Sequence, residues 1–347
     1  MAFYKGIFNL MRSQESMIGN SAALASALDQ LSHLASINRP ILIMGDRGTG
    51  KELAAERLHF LSPRWDAPLL KVNCAAMADS LLESELFGHE AGAFTGATRM
   101  QRGRFERADG GTLFLDELAT MSVRVQEKLL RLVEYGEFER LGGQQTLSVD
   151  VRVIAASNVD LRQLAADKGF REDLLDRLSF DVVHLPPLRY RVEDISELAQ
   201  HFAIQMSAEL GWDLFAGFTA AAMNTLEQHT WPGNIRELKN VVERSVYRWS
   251  DPGQPVDTIV LDPFQSPFTE REASPTPSAQ APASHEPIQT VDFAQRIDDI
   301  EKGLLQEALR DNQHNQRRTA AALGLSYDQL RGLVRKHQLT GRRRKRE

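Results

Sequence analysis

The chain has 347 residues, enough for two or three domains, with 42% hydrophobic and 25% charged residues, as in ordinary globular proteins. No run approaches the roughly 20 apolar residues of a membrane helix, the N-terminus lacks the apolar core of a signal peptide, and a single cysteine, Cys74, excludes an internal disulfide; the expected setting is a reducing cytoplasm. The net charge of −6 is uneven: Arg310 to Glu347 holds eleven Lys/Arg against three acids, a net +8 that leaves −14 elsewhere, so a polyanionic partner is expected for that end only.

In chain order, Pro40–Met44 is a short apolar run suited to a buried parallel strand, and a helical pattern follows from Lys51 to Leu61. Between them lies Gly45-Asp46-Arg47-Gly48-Thr49-Gly50-Lys51, a phosphate-binding loop in the required strand–loop–helix context. Its glycines let backbone N–H groups approach an anion, and Lys51 reaches the β- and γ-phosphates as a point charge. Glu52 stands where the general pattern has a hydroxyl for Mg²⁺. Thr112–Asp116 is a second buried strand that ends in Asp116-Glu117, 65 residues after Lys51. Asp116 is placed to hold the water shell of Mg²⁺ and Glu117 to polarise the attacking water; alone, such a pair also suits a helix cap. Val151–Ala156 is a third strand. This alternation predicts an α/β fold with a largely parallel sheet. Asp194–Trp249 reads as a helical subdomain broken at Trp231-Pro232-Gly233.

Between the first two strands lies Glu85-Leu-Phe-Gly-His-Glu-Ala-Gly92-Ala93-Phe94-Thr95-Gly96-Ala97. An aromatic between glycines belongs either on an exposed tip, which marks a contact, or folded back into the core. These motifs together resemble the AAA+ domain of the sigma-54-dependent activators, the bacterial enhancer-binding proteins. There the phosphate loop typically reads GExGTGKE, so Glu52 is expected and Asp46 is a conservative departure. Gly92–Ala97 matches the family's GAFTGA loop, which implies contact with sigma-54 RNA polymerase. The resemblance further implies that Asn73 is a switch that holds Glu117 inactive, and that Ser157-Asn158 is sensor I. Arg171 and Arg177 would be arginine fingers reaching a neighbour's nucleotide within a hexamer, and Arg236 the sensor II arginine on ATP. Taken alone, these are ordinary strand-end amides and surface charges. At most about fifteen residues precede the domain, so no attached sensor of the usual kind is expected; this resembles the phage shock subtype. Trp65 falls where that subtype contacts its repressor, phage shock protein A, or else is a half-buried tryptophan.

Residues 251–292 hold eight of the fourteen prolines and read as a flexible linker. Phe293, Ile297, Ile300, Leu304 and Ala308 then follow helical spacing. A second helix ends at Gly324, and Ser326 with Gln329 forms a capping box that opens a third, with Leu330, Leu333 and Val334 inward. This is a helix-turn-helix pattern for double-stranded DNA, resembling the Fis type, or a small helical dimerisation hairpin. Arg317, Arg318, Tyr327, Gln329, Arg331, Arg335 and Lys336 are the candidate DNA-binding residues. The expected division is a 1–16 segment; a 17–250 ATPase domain, with α/β part 17–190 and helical lid 191–250; linker 251–292; helix-turn-helix 293–340; and basic tail 341–347. The whole implies an ATP- and Mg²⁺-dependent transcription activator at upstream enhancers. The rivals are a general AAA+ remodeller and a DNA-binding regulator that binds ATP without hydrolysing it.

Overall fold

The computed structural model describes residues 17–264, 293–312, 315–337 and 339, in two compact units, Met1–Ser266 and Pro267–Glu347. Among the described residues no helix is long and apolar enough to cross a membrane.

The larger unit opens with helix α1 (Ala22–Ala35), capped by the Ser21 side chain. Strand β1 (Ile41–Met44) leads through the glycine loop into α2 (Lys51–Phe60). Then come β2 (Leu69–Asn73), α3 (Asp79–Phe87), the short α4 (Arg104–Arg107), β3 (Thr112–Asp116) and α5 (Val123–Tyr135). A small antiparallel pair, β4 (Glu137–Glu139) and β5 (Thr146–Ser148), precedes β6 (Arg152–Ser157), α6 (Leu161–Ala166), α7 (Glu172–Leu178) and β7 (Asp181–His184). The main sheet has the order β2-β3-β6-β1-β7, and all its pairs are parallel. The three expected strands lie at its centre. The two unexpected ones are its edges, where the apolar runs are shorter and carry Lys71, Asp181 and His184.

Strand periodicity splits the core into two layers. Leu42, Leu113, Leu115, Val153 and Ala155 face one side, and Ile41, Ile43, Phe114, Ile154 and Ala156 the other. Arg152 is the exception within β6. It is almost wholly buried with no acid beside it, and donates to the carbonyls of Leu34 (2.8 Å) and Ala35 (2.9 Å) at the end of α1. A cation at a helix C-terminus is favourable, yet burial pushes this guanidinium down to about 10.

The helical part holds α8 (Ile195–Glu209), α9 (Ala220–Gln228) and α10 (Asn234–Trp249), packed on their own cluster around Trp231, Phe202, Leu238 and Val242. In the smaller unit, α11 (Phe293–Asp311), α12 (Gln316–Ala322) and α13 (Tyr327–Lys336) surround Leu305, Leu309, Ala320, Leu330 and Val334. Among the described side chains of α11, Leu305 and Leu309 are the buried ones; Leu304, placed by its spacing on the apolar stripe, is 58% exposed. The error is one of phase, because an i, i+3/i+4 pattern with adjacent leucines fits two stripes about 100° apart. The side chains of Phe293, Ile297 and Ile300 and the tail 341–347 lie outside what is described.

Candidate functional site

Register aligns the strand ends. Asn73 pairs with Asp116 and Met44 with Ser157, so the residues that follow β1, β2, β3 and β6 share one rim of the sheet. Ligands of open parallel sheets bind at this carboxyl rim. The Gly45 N–H donates to the Ser157 carbonyl at 3.2 Å, which ties the glycine loop to the end of β6. Gly48 and Gly50 have φ of 78° and 93°, a left-handed region that side chains disfavour. A Cβ at Gly48 would meet the Gly233 carbonyl at 2.2 Å, so the loop also needs glycine to fit beneath the turn before α10.

Lys51 Nζ donates to the carbonyls of Gly45 (2.9 Å) and Asp46 (3.2 Å). Burial lowers its basicity, against the raising fields of Asp116 and Glu117, and Arg236 lowers it further. The ammonium thus sits among neutral carbonyls with no carboxylate in contact, ready for an incoming anion. Asp116 is partly buried, and burial raises its carboxyl above the ordinary range. A hard oxygen donor at a desolvated rim fits Mg²⁺.

Glu117 is left-handed (φ 54°), and its carboxylate lies 3.4 Å from Arg47. Asn73 does not hold it: the Asn73 Oδ1 accepts the Ala75 N–H at 2.9 Å and caps a short 3-10 turn. In this state Glu117 therefore meets the glycine loop rather than the expected asparagine. Glu52, expected with the nucleotide loop, accepts from Lys71 at 2.8 Å. The Ser157 hydroxyl is buried and closes a local turn with both main-chain groups of Val159, and Asn158 follows it at the rim.

A mostly apolar cavity of about 340 Å³ adjoins the loop, lined by residues that include Met17, Ile18, Leu53, Phe202, Ile235 and Arg236. Its shape and lining suit a flat heterocycle beside the phosphate cradle. Two hollows elsewhere on the unit, of about 310 and 360 Å³, touch none of the glycine-loop residues.

Two residues that sequence reasoning passed over organise this site. Asn234, buried and left-handed (φ 53°), donates from Nδ2 to the Arg47 carbonyl (2.9 Å) and accepts the Leu188 N–H on Oδ1 (2.8 Å). It joins the glycine loop to the helical part; the only sequence signal was an asparagine just after Pro-Gly. Asn234→Ala would strand Leu188 N–H and the Arg47 carbonyl, each costing about 1–3 kcal/mol. The expected result is a lower urea midpoint and a raised KM for ATP with kcat less affected; an unchanged midpoint would remove Asn234 from this role. Gln126 is fully buried and accepts the Arg171 N–H at 2.9 Å while donating to Met121 and Gly169 carbonyls. It fixes where α7 starts. Arg171 stands at the position before that helix and pairs with Asp173, and Arg177 pairs with Glu134. Both guanidinium groups reach solvent.

The Gly92–Ala97 segment is a closed turn. Gly92 N–H meets the Ala97 carbonyl at 2.7 Å, and Gly92 and Gly96 have φ of 83° and 102°. Phe94 is 42% exposed and Thr95 is exposed, whereas Ala97 is buried. Of the two readings of Phe94, the tip is what is observed. The stem is braced by Arg140, which reaches Glu90 (2.6 Å) and Glu106 (2.7 Å). Trp65 is 63% exposed, not half-buried, with Phe60 and Leu61 each at 50%.

In the smaller unit Ser326 and Gln329 make the expected capping box. Gln329 therefore commits its Oε1 to the Ser326 N–H at 2.9 Å. Lys336 turns back onto α11, to Asp298 (2.7 Å) and Glu301 (2.8 Å), rather than outward for phosphate. Arg317, Arg318, Tyr327, Arg331 and Arg335 remain exposed, with Arg317 over the Tyr327 ring at 5.8 Å.

Comparison with known proteins gives three family matches: the sigma-54 interaction domain over residues 17–184, the AAA+ ATPase lid domain over 189–279, and the Fis family of bacterial regulatory proteins over 296–332. The chain is 53% identical over 326 residues to the Psp operon transcriptional activator of Escherichia coli (strain K12), covering 94% of this chain and 99% of that protein. It is 43% identical over 310 residues to the regulatory protein AtoC of the same organism, covering 89% of this chain and 65% of AtoC. Among solved structures, NtrX from Brucella abortus in complex with ATP matches with a TM-score of 0.68 at 31% identity, covering 97% of this chain and 72% of that one.

Proposed function

Because this chain belongs to the sigma-54-dependent transcription activators, AAA+ ATPases that end in a Fis-type DNA-binding module, we propose that it turns ATP hydrolysis into movement of the Gly92–Ala97 tip against sigma-54 at a closed promoter, and that its targets are phage shock genes, as the name of its Escherichia coli relative suggests. The observation that carries this reading is the exposed Phe94 on a glycine-hinged turn, in the same compact unit as the phosphate loop.

In this reading, the N–H groups of Gly45–Lys51 and the Lys51 ammonium bind the phosphates, the apolar cavity holds the base, and Arg236 and Ser157-Asn158 report on the nucleotide. Asp116 would hold Mg²⁺, which would supply neutralisation of phosphate charge. Glu117 leaves Arg47 and takes the proton of the attacking water. Arg171 and Arg177, solvent-reaching and held by Asp173 and Glu134, act on a neighbour's nucleotide in a ring, a hexamer by analogy with the family. An arginine supplied this way is worth about 10³–10⁵ in rate. The motor extends past residue 250, where the linker was expected to start, because Val256, Ile259 and Leu261 pack on the helical part and Val256 hydrogen-bonds with Gly217 and Thr219; the rest of 251–292 is the tether and 293–340 the DNA module, whose Arg317, Arg318, Arg331 and Arg335 face solvent for phosphate contacts. Tethering at an enhancer raises the local concentration of the ring near polymerase. The Trp65, Phe60 and Leu61 exposure supports a repressor surface for phage shock protein A, and the cytoplasm is where such partners meet.

The test is transcription in vitro with sigma-54 polymerase, with hydrolysable and non-hydrolysable ATP. Open complexes are expected only with the former. Thr95→Ala should keep ATPase activity within about twofold and lower open-complex formation by about tenfold or more, as loss of a contact worth roughly 1.4 kcal/mol or more would do. Normal transcription from Thr95→Ala would refute the contact role.

A further inference from the structure

The Phe94 ring does not stand free. It rests edge-to-face on the imidazole of His89, with ring centroids 4.9 Å apart and an interplanar angle of 65°. Such pairs prefer this tilted arrangement and gain from it beyond simple burial. His89 itself is fixed on every side. It is 93% buried, and its Nδ1 lies 2.7 Å from the Ser84 hydroxyl of α3. Its own N–H and carbonyl bond to Gln101 at 3.0 and 2.9 Å, closing the stem across the Gly92–Ala97 turn. On the other side, the N–H of Leu141 bonds to the Gly88 carbonyl and that of Glu90 to the Leu141 carbonyl, each at 3.0 Å, so His89 bridges two neighbouring segments.

This contrasts with the tip. Gly92 and Gly96 meet nothing within 4 Å of an added Cβ, so the two hinges have open space around them, while the turn's packed residues are its small ones: Ala93 lies against Gly142 and Ala97 is buried. Those alanines hold the backbone of the turn, and the aromatic contact of the Phe94 ring itself is with His89. The Ser84–His89 pair is the rigid body in contact with it, and Ser84 belongs to a helix whose Leu82, Leu86 and Phe87 lie in the core beside β3. A small shift of α3 would reach the ring through one hydroxyl and one imidazole.

We infer that His89, anchored by Ser84, is the positioning residue that aims Phe94 at its partner. This rests on the reading of Phe94 as the sigma-54 contact. His89 touches neither nucleotide nor sigma-54 in this proposal; it acts through Phe94 alone. The geometry specifies two separable properties: an aromatic face under Phe94, and a hydrogen bond to Ser84 that holds that face still.

The experiment uses the full-length chain and three readouts: steady-state ATPase, sigma-54 binding with a γ-phosphate transition-state mimic, and open-complex formation. His89→Ala is expected to keep ATPase within about twofold and to lower sigma-54 binding and open-complex formation by roughly three- to tenfold, the size expected of one aromatic pair. His89→Phe, which keeps the ring, should recover most of the loss. His89→Gln, which keeps a hydrogen-bonding group near Ser84 without the ring, should resemble His89→Ala. On a Phe94→Ala background, His89→Ala should add nothing, because residues that act as a unit are non-additive. A merely structural histidine predicts instead a parallel loss of ATPase, no recovery with phenylalanine, and additive effects; any of these overturns the proposal, as does full activity of His89→Ala. If Phe94→Ala is itself fully active, the contact reading fails first and takes this inference with it. If Phe94→Ala is inactive while His89→Ala is normal, only the inference fails.

Discussion

Glu117→Gln is expected to leave ATP binding within a few-fold of the parent and to lower turnover by about 10²–10⁴. The glutamate follows Asp116 at the carboxyl rim, in a left-handed conformation (φ 54°) that turns its carboxylate towards the glycine loop. Glutamine has the same shape and keeps a group able to meet Arg47, so the rim and the phosphate cradle stay intact. What it loses is the capacity to take a proton from water. Equilibrium binding of a fluorescent ATP analogue and single-turnover hydrolysis separate the two effects. Steady turnover by this variant would show that another group activates the water.

Asp194→Ala is expected to destabilise the larger unit by about 3–5 kcal/mol, the cost of leaving a buried partner charge uncompensated. Asp194 and Arg191 are each about 1% exposed and 2.7 Å apart. Asp194 also accepts from the Asn20 N–H (2.7 Å), the Ser21 N–H (2.8 Å) and the Ser21 hydroxyl (2.6 Å). Arg191 donates in turn to the Ile18 carbonyl at 2.8 Å. The network clamps residues 18–21, so that Met17 and Ile18 wall the nucleotide cavity. Calorimetry should record a transition lower by roughly 10 °C for a unit of this size, together with a raised KM for ATP; a shift within about 1 °C would refute the clamp. The pH dependence has a definite sign. Burial pushes the Asp194 carboxyl up, but the hydrogen bonds from Ser21, Arg191 and Asn20 outweigh it and leave it below the ordinary range. A depressed carboxyl contributes stability that is complete above the unfolded value near 3.9 and is lost as pH falls through the folded one. Asp194→Ala should therefore flatten the acid limb of the stability curve and leave its neutral limb parallel to the parent's.

What could be read from the sequence was whatever is encoded in neighbours along the chain. Strand-loop-helix spacing announced the glycine loop, an apolar run ending in Asp116-Glu117 announced the rim acids, and Ser326 with Gln329 announced a helix start that the structure reproduces. The two edge strands were missed because edge strands are half-covered and lack the continuous apolar run that marks central ones. Leu304 was misplaced against Leu305 because periodicity gives the existence of a stripe better than its phase.

The three-dimensional arrangement alone decided the rest, since it depends on residues far apart in sequence. Asn234 reaches Arg47 across 187 positions and Asp194 reaches Ser21 across 173. Lys336 meets Asp298 and Glu301 because α13 packs across α11, which turns an expected phosphate contact into an internal ion pair. Glu117 faces Arg47 rather than Asn73 because the short turn after β2 draws the asparagine to its own backbone. Local spacing fixes which backbone groups are free to bind a phosphate; it carries no information on which distant side chain packs beside them, because that is set by the burial of apolar faces in the folded chain.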